Sequence, residues 1–125
     1  LTSTNPVFTR PLGASFYYYD QYLLNVRSNG HYLIRSSSPI DTYGYLNTDP
    51  FDSTYPGYNL VAFDDDAEGS GQFRLEVYLE SNTTYVLIVT TYNSYVTGSY
   101  SITASGYDQI NITNMTSIPA TTFGK

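Results

Sequence analysis

The run from Gln72 to Glu80 constrains this chain most. Phe73, Leu75, Val77 and Leu79 alternate there with Gln72, Arg74, Glu76, Tyr78 and Glu80. Neighbouring side chains of a strand point to opposite faces, so the alternation predicts a strand with the first set inward and the second outward. Tyr85 to Thr91 is apolar on both faces, which predicts a central strand. Ser99 to Ser105 alternates again, with Tyr100, Ile102 and Ala104 inward. Phe16 to Tyr19, Tyr22 to Val26, His31 to Arg35, Ile40 to Leu46 and Asn59 to Phe63 read as further strands.

Turn chemistry separates these runs. Ser28-Asn29-Gly30 predicts a tight hairpin into His31–Arg35, because Asn-Gly readily takes positive φ. Tyr32 and Ile34 then oppose Leu33 and Arg35. Ser36 to Pro39 and Ser81 to Thr83 read as a polar loop and a turn, and Asn47 to Tyr58 as a long loop holding Pro50, Pro56 and Gly57. Short strands spaced roughly 8–12 residues apart predict an all-β fold. The expected architecture is an antiparallel β-sandwich of about eight strands, Greek-key or jelly-roll-like. Residues 1–13, with Pro6 and Pro11, read as an extended arm or linker outside the core. Residues 14–106 form the sandwich domain, and 107–125 a C-terminal strand or tail.

Composition narrows the functional classes. The 125 residues include 15 Tyr, one Met, no Trp and no Cys, which suits a pleated, half-exposed surface and removes disulfides, thiolate catalysis and Cys-ligated zinc. A net charge of −6 without a basic cluster disfavours nucleic acid and anionic membranes. No apolar run is long enough for a helical membrane span. The opening Leu1-Thr2-Ser3-Thr4-Asn5-Pro6 carries no initiator Met or signal peptide, as expected of a processed chain or an excised piece.

Four groups of residues offer chemistry. Asp64, Asp65, Asp66 and Glu68 supply oxygen ligands for Ca²⁺, which takes six to eight; they also suit Asx caps of a solvated turn. Asn82, Asn111 and Asn114 head N-glycosylation sequons, while Thr2, Ser3, Thr4, Thr121 and Thr122 are available for O-linked sugar. Ser and Thr are abundant enough here for sequons to arise by chance. Tyr55, Tyr58, Tyr92 and Tyr95, all in loops, could stack on a sugar or an extended peptide, or simply pack locally. Val7, Phe8, Thr9 and Arg10 have strand character and could join a neighbour's open sheet edge. Catalysis finds little support: the single histidine, His31, has no nucleophile beside it and reads as a surface strand residue.

Asp41-Thr42-Tyr43 is followed by Leu60-Val61-Ala62-Phe63-Asp64-Asp65-Asp66 and by Phe73 to Leu79. Asn82-Thr83-Thr84-Tyr85-Val86-Leu87-Ile88-Val89 and Gly98-Ser99-Tyr100-Ser101-Ile102 complete the order. Two half-buried strands thus flank a carboxylate-rich turn, and a Thr-Tyr strand follows a tight turn. The order resembles the bacterial pre-peptidase C-terminal domain, a small secreted β-sandwich, over roughly half of the chain. The resemblance implies an accessory module that binds, spaces or assembles rather than catalyses.

The sequence therefore points to a non-enzymatic, secreted or cell-surface building block. It would be a glycosylated unit of a filament or multi-module protein, joined to neighbouring copies through its terminal segments. The alternative is an accessory module for carbohydrate, extracellular matrix or collagen-like peptide, steadied by Ca²⁺.

Overall fold

The computed structural model describes residues 1–9, 16–51, 59–65, 71–81, 83–93 and 96–115. These carry ten strands: β1 (Val7–Thr9), β2 (Phe16–Tyr18), β3 (Asp20–Val26), β4 (Gly30–Ser37), β5 (Thr42–Thr48), β6 (Leu60–Asp64), β7 (Arg74–Leu79), β8 (Thr84–Thr91), β9 (Ser101–Gly106) and β10 (Ile110–Asn114). All pairings are antiparallel. One sheet runs β10-β3-β8-β5-β6, the second β7-β4-β9, and β1 pairs with β2. The fold is an all-β antiparallel sandwich, as the alternation predicts. The two strands beyond the expected eight are β1 and β10, from segments read as arm and tail.

Between the larger sheets lies a core that includes Leu24, Leu46, Leu87 and Val89 from one side and Tyr32, Ile34, Leu75 and Leu79 from the other. Gly44 belongs here because Phe73 lies over it: a Cβ at Gly44 would stand 2.6 Å from the Phe73 ring. β8 is central, and every residue from Tyr85 to Thr91 is buried. Its other face, with Val86 and Ile88, packs against Phe8, Tyr19 and Tyr45.

That second cluster corrects the reading of the N-terminal segment as lying outside the core, for the residues of it that are described, 1–9. Phe8 is 2% exposed, and β1 and β2 form a third layer over the five-stranded sheet. The physical cause is β8: a strand apolar on both faces needs cover on both.

The hairpin expected at Ser28–Gly30 is also corrected. β3 and β4 lie in different sheets, so the turn arches from one sheet to the other. Tertiary contacts hold it: Asn29 Oδ1 accepts the Ser81 amide at 2.7 Å, and Ser28 Oγ donates to Asp108 Oδ2 at 2.7 Å. A Cβ at Gly30 would meet Tyr107 at 2.8 Å.

A third correction concerns Gln72, expected to face solvent but 6% exposed. Its Nε2 donates to the carbonyls of Ser38 and Ile40, both at 3.0 Å, and its Oε1 accepts Ser36 Oγ at 3.0 Å. The regular ladder of β7 begins only at Arg74, so period two does not extend to Gln72. From there Arg74, Glu76, Tyr78 and Glu80 are exposed while Phe73, Leu75, Val77 and Leu79 are buried.

Candidate functional site

The terminal strand β1 and its seat form the most developed site among the sequence candidates. β1 pairs Val7 with Tyr18, Phe8 with Tyr17 and Thr9 with Phe16. The Tyr19 amide donates to the Pro6 carbonyl at 3.0 Å, continuing the ladder. Phe8 projects onto the outer face of the five-stranded sheet. Its ring meets Tyr19, Tyr45 and Phe51 edge to face, with centroids 5.3, 5.8 and 5.9 Å away. Edge-to-face contact sets the positive ring edge against a negative face, so the seat gains specificity as well as area. Leu1 anchors the start of the chain: its nitrogen donates to the Gly98 carbonyl at 2.6 Å, and the Gly98 amide returns a bond to Leu1 at 2.9 Å. Arg10, the last residue of the expected arm, lies outside the described residues.

Asn5 ties this segment to a half-buried polar network. Its Nδ2 donates to the Tyr19 carbonyl at 2.8 Å and to Asp20 Oδ1 at 2.5 Å. The other Asp20 oxygen accepts the Tyr100 hydroxyl, and the Tyr22 and Tyr100 hydroxyls lie 2.6 Å apart. Burial, followed by the hydrogen bond to Asp20, pushes the Tyr100 phenol far above its ordinary pKa. Burial raises Tyr22 as well. Sequence reasoning took Tyr100 as one inward residue among three and missed the network, because nothing local links positions 20, 22 and 100.

The acidic turn is only partly in view. Asp64 ends β6, and its Oδ2 accepts the Arg74 amide at 2.8 Å, which caps the entry to β7. Asp65 follows; Asp66 and Glu68 lie outside the described residues. Among the described residues no three His, Cys, Asp or Glu side chains gather as a metal site.

Of the four loop tyrosines only Tyr92 is among the described residues. Thr42 faces Thr91 at one end of β5, and Thr48 faces Tyr85 at the other. Six residues of strand, about 20 Å, separate these ends. Tyr92, 50% exposed, follows Thr91 and donates its amide to Asp41. Phe51 and Asn59 belong to the opposite end. Tyr55, Tyr58 and Tyr95 themselves lie outside the described residues.

Asn111 and Asn114 are exposed on β10, and Asn82 lies outside the described residues. His31 is an exposed strand residue, with its ring edge to face on Tyr78 at 5.2 Å. It rims an open depression of about 410 Å³ over Leu33, together with Glu76 and Ser105.

A further aromatic group stands at the sheet margin. Tyr43, Tyr45 and Phe63 are nearly parallel, with centroids 4.9 to 6.3 Å apart, and Phe63 is 58% exposed. The i, i+2 spacing of the two tyrosines was its sequence signal; the cross-strand pairing of Tyr45 with Phe63 was not legible.

The chain matches no family model, and no curated protein and no solved structure is similar to it. The likeness to pre-peptidase C-terminal domains therefore rests on the residues quoted above.

Proposed function

We propose that this chain is an extracellular structural building block of a filament or multi-module surface protein, joined to neighbouring copies through its terminal strand. The supporting observation is the seating of Phe8. A short strand at one end of the chain, paired over three residues, fills an aromatic seat built by later strands. The same contacts serve when β1 comes from another copy, so exchange needs no new interface. Repeated head to tail, such exchange grows a filament; within one chain it closes a module of a longer protein. In this reading the chain holds neighbours and catalyses nothing.

A cysteine pair tests it. Val7 and Tyr18 form a non-hydrogen-bonded pair, since Pro6 and Tyr19 hold the adjacent hydrogen bond, so their Cα atoms stand about 4.5 Å apart, within disulfide range. The natural chain has no cysteine to interfere. Val7→Cys/Tyr18→Cys, oxidised in the assembled protein, should give a ladder of linked chains on a non-reducing gel. A single monomer band would show that β1 stays in its own domain and would remove the exchange.

The exposed ring of Phe63 and the depression over Leu33 favour a second reading, an accessory module for carbohydrate or collagen-like peptide. Tyr78→Ala and Phe63→Ala should then weaken binding on a glycan and collagen-peptide array. If Ca²⁺ steadies the acidic turn, chelation lowers the melting temperature through linkage; an unchanged value removes the metal from this reading.

A further inference from the structure

The outer face of the three-stranded sheet is polar except at its centre. Alternation puts His31, Leu33 and Arg35 of β4 on that face, because Tyr32 and Ile34 fill the core. The register sets Tyr78 beside His31, and it sets Glu76 and Ser105 on either side of Leu33. Leu33 is half-buried among these exposed neighbours. Ser105 is short and Gly106 has no side chain, so the β9 side stays low while Tyr78 and Glu76 stand up from β7. The result is the open depression of about 410 Å³, and every residue that lines it is among the described ones.

Its walls combine two kinds of chemistry. The Tyr78 ring is 53% exposed and is steadied edge to face by His31. With Leu33 as the floor, it offers an apolar corner. Round that corner stand polar groups. Among the described residues, no protein group hydrogen-bonds the His31 ring, the Tyr78 hydroxyl or the Ser105 hydroxyl. Glu76 Oε1 accepts Arg74 Nη2 at 2.6 Å, which balances its charge and leaves the second carboxylate oxygen as an acceptor.

A ligand suited to this place brings an apolar face for Tyr78 and Leu33 and donors at its margin for Glu76. A pyranose has both: C–H bonds on one face of the ring, and hydroxyls round it that donate as well as accept. A proline-rich peptide fits less well. Proline has no N–H, so the peptide would strip water from Glu76 and return few donors. Arg74 already balances Glu76, so a fixed charge on the ligand gains little. Three strands about 4.8 Å apart make a floor about 10 Å across, room for a single ring.

We propose that the depression over Leu33 is a subsite for one neutral pyranose, stacked on Tyr78 and Leu33 with its hydroxyls on Glu76 and Ser105. The proposal rests on the accessory-module reading and narrows it to sugar and to this face.

The test titrates the full chain with methyl glucoside, methyl galactoside, methyl mannoside and N-acetylglucosamine, followed by NMR. His31 is the only histidine, so its ring C–H resonances report on this place alone. At least one of the four sugars should shift them saturably, together with the Leu33 and Ser105 amides. Sorbitol, which has hydroxyls but no ring face, and a Pro-Pro-Gly repeat peptide should leave them unmoved. Tyr78→Ala and Glu76→Gln should each weaken the sugar about ten-fold. Ser105→Tyr fills the depression without touching Tyr78 or Glu76 and should abolish the shift. Phe63→Ala, on the other sheet, should leave the affinity unchanged. Equal affinity in the parent, Tyr78→Ala and Ser105→Tyr overturns the proposal, as does a response to the peptide in place of the sugars. Glycan-array binding by a parent whose His31 stays silent overturns this subsite and leaves the accessory module standing. A blank array together with a blank titration overturns both.

Discussion

Tyr100 donates its hydroxyl to the carboxylate of Asp20, 80 residues earlier in the chain. Tyr22 then donates to Tyr100, because the Tyr100 proton is already committed. The network joins the segment before β1, the start of β3 and the entry to β9. A hydrogen bond to a charged group contributes about 1.5–3 kcal/mol, so Tyr100→Phe should lower stability by that amount at pH 7, read from the urea midpoint.

The raised pKa of Tyr100 gives a second readout. Its folded value lies above its unfolded value near 10, so the stabilisation is complete below pH 10. Above pH 10 the unfolded phenol loses its proton while the folded one keeps it, and stability falls by about 1.4 kcal/mol per pH unit for this group. Tyr22 acts in the same direction. Urea titrations at pH 9, 10 and 11 should therefore show a shallower alkaline loss for Tyr100→Phe than for the parent. Parallel curves would contradict the network.

Phe8 should behave as a core residue despite its place near the start of the chain. Phe8→Ala should cost about 3–5 kcal/mol, in the range of buried Phe truncations. Val7 is 40% exposed, and Val7→Ala should stay within about 0.5 kcal/mol. Equal losses from the two, measured by urea denaturation, would mean that β1 is not seated in solution.

Gly44→Ala should destabilise by about 1–3 kcal/mol, because the new methyl group meets the Phe73 ring. The cost is specific to that neighbour. Phe73→Leu removes the ring, so the double variant should be more stable than the two separate losses add to, by at least about 0.5 kcal/mol. Strict additivity would place the strain elsewhere.

The sandwich was legible because its signals are local. Alternation in Phe73–Leu79 and the double-faced run of β8 each report burial through side-chain period alone. The sheet that receives each strand is not local information. Asn29-Gly30 marks a turn equally well whether the chain returns beside β3 or crosses to the other sheet, and only contacts with Ser81, Tyr107 and Asp108 select the crossing. Val7-Phe8 is a single apolar pair between Pro6 and Pro11, too short for a period to announce that Phe8 is core. Its seat is assembled from β5, β8 and the residues around Tyr19 and Phe51. The indirect sign was the apolar outer face of β8, which required a cover. Asn111 was visible as a sequon, but its place on an edge strand depends on the pairing of β10 with β3.

Gln72 provides the sharpest test of a reading that the structure reversed. Ser36 Oγ donates to its Oε1 and accepts the Phe73 amide at 3.1 Å and, by the same logic, the Thr42 hydroxyl at 2.6 Å. The Gln72 amide nitrogen closes the crossing from β4 to β5 by donating to Ser38 and Ile40. Gln72→Leu nearly keeps the volume but leaves two carbonyls and one hydroxyl without this partner, and a buried group left unsatisfied costs about 1–3 kcal/mol. Both Gln72→Leu and Gln72→Ala should therefore lose at least about 2 kcal/mol in urea denaturation, with faster hydrogen exchange at the Phe73 amide. Were Gln72 a solvent-facing residue, as strict alternation demands, Gln72→Ala would fall within about 0.5 kcal/mol of the parent and leave that amide untouched.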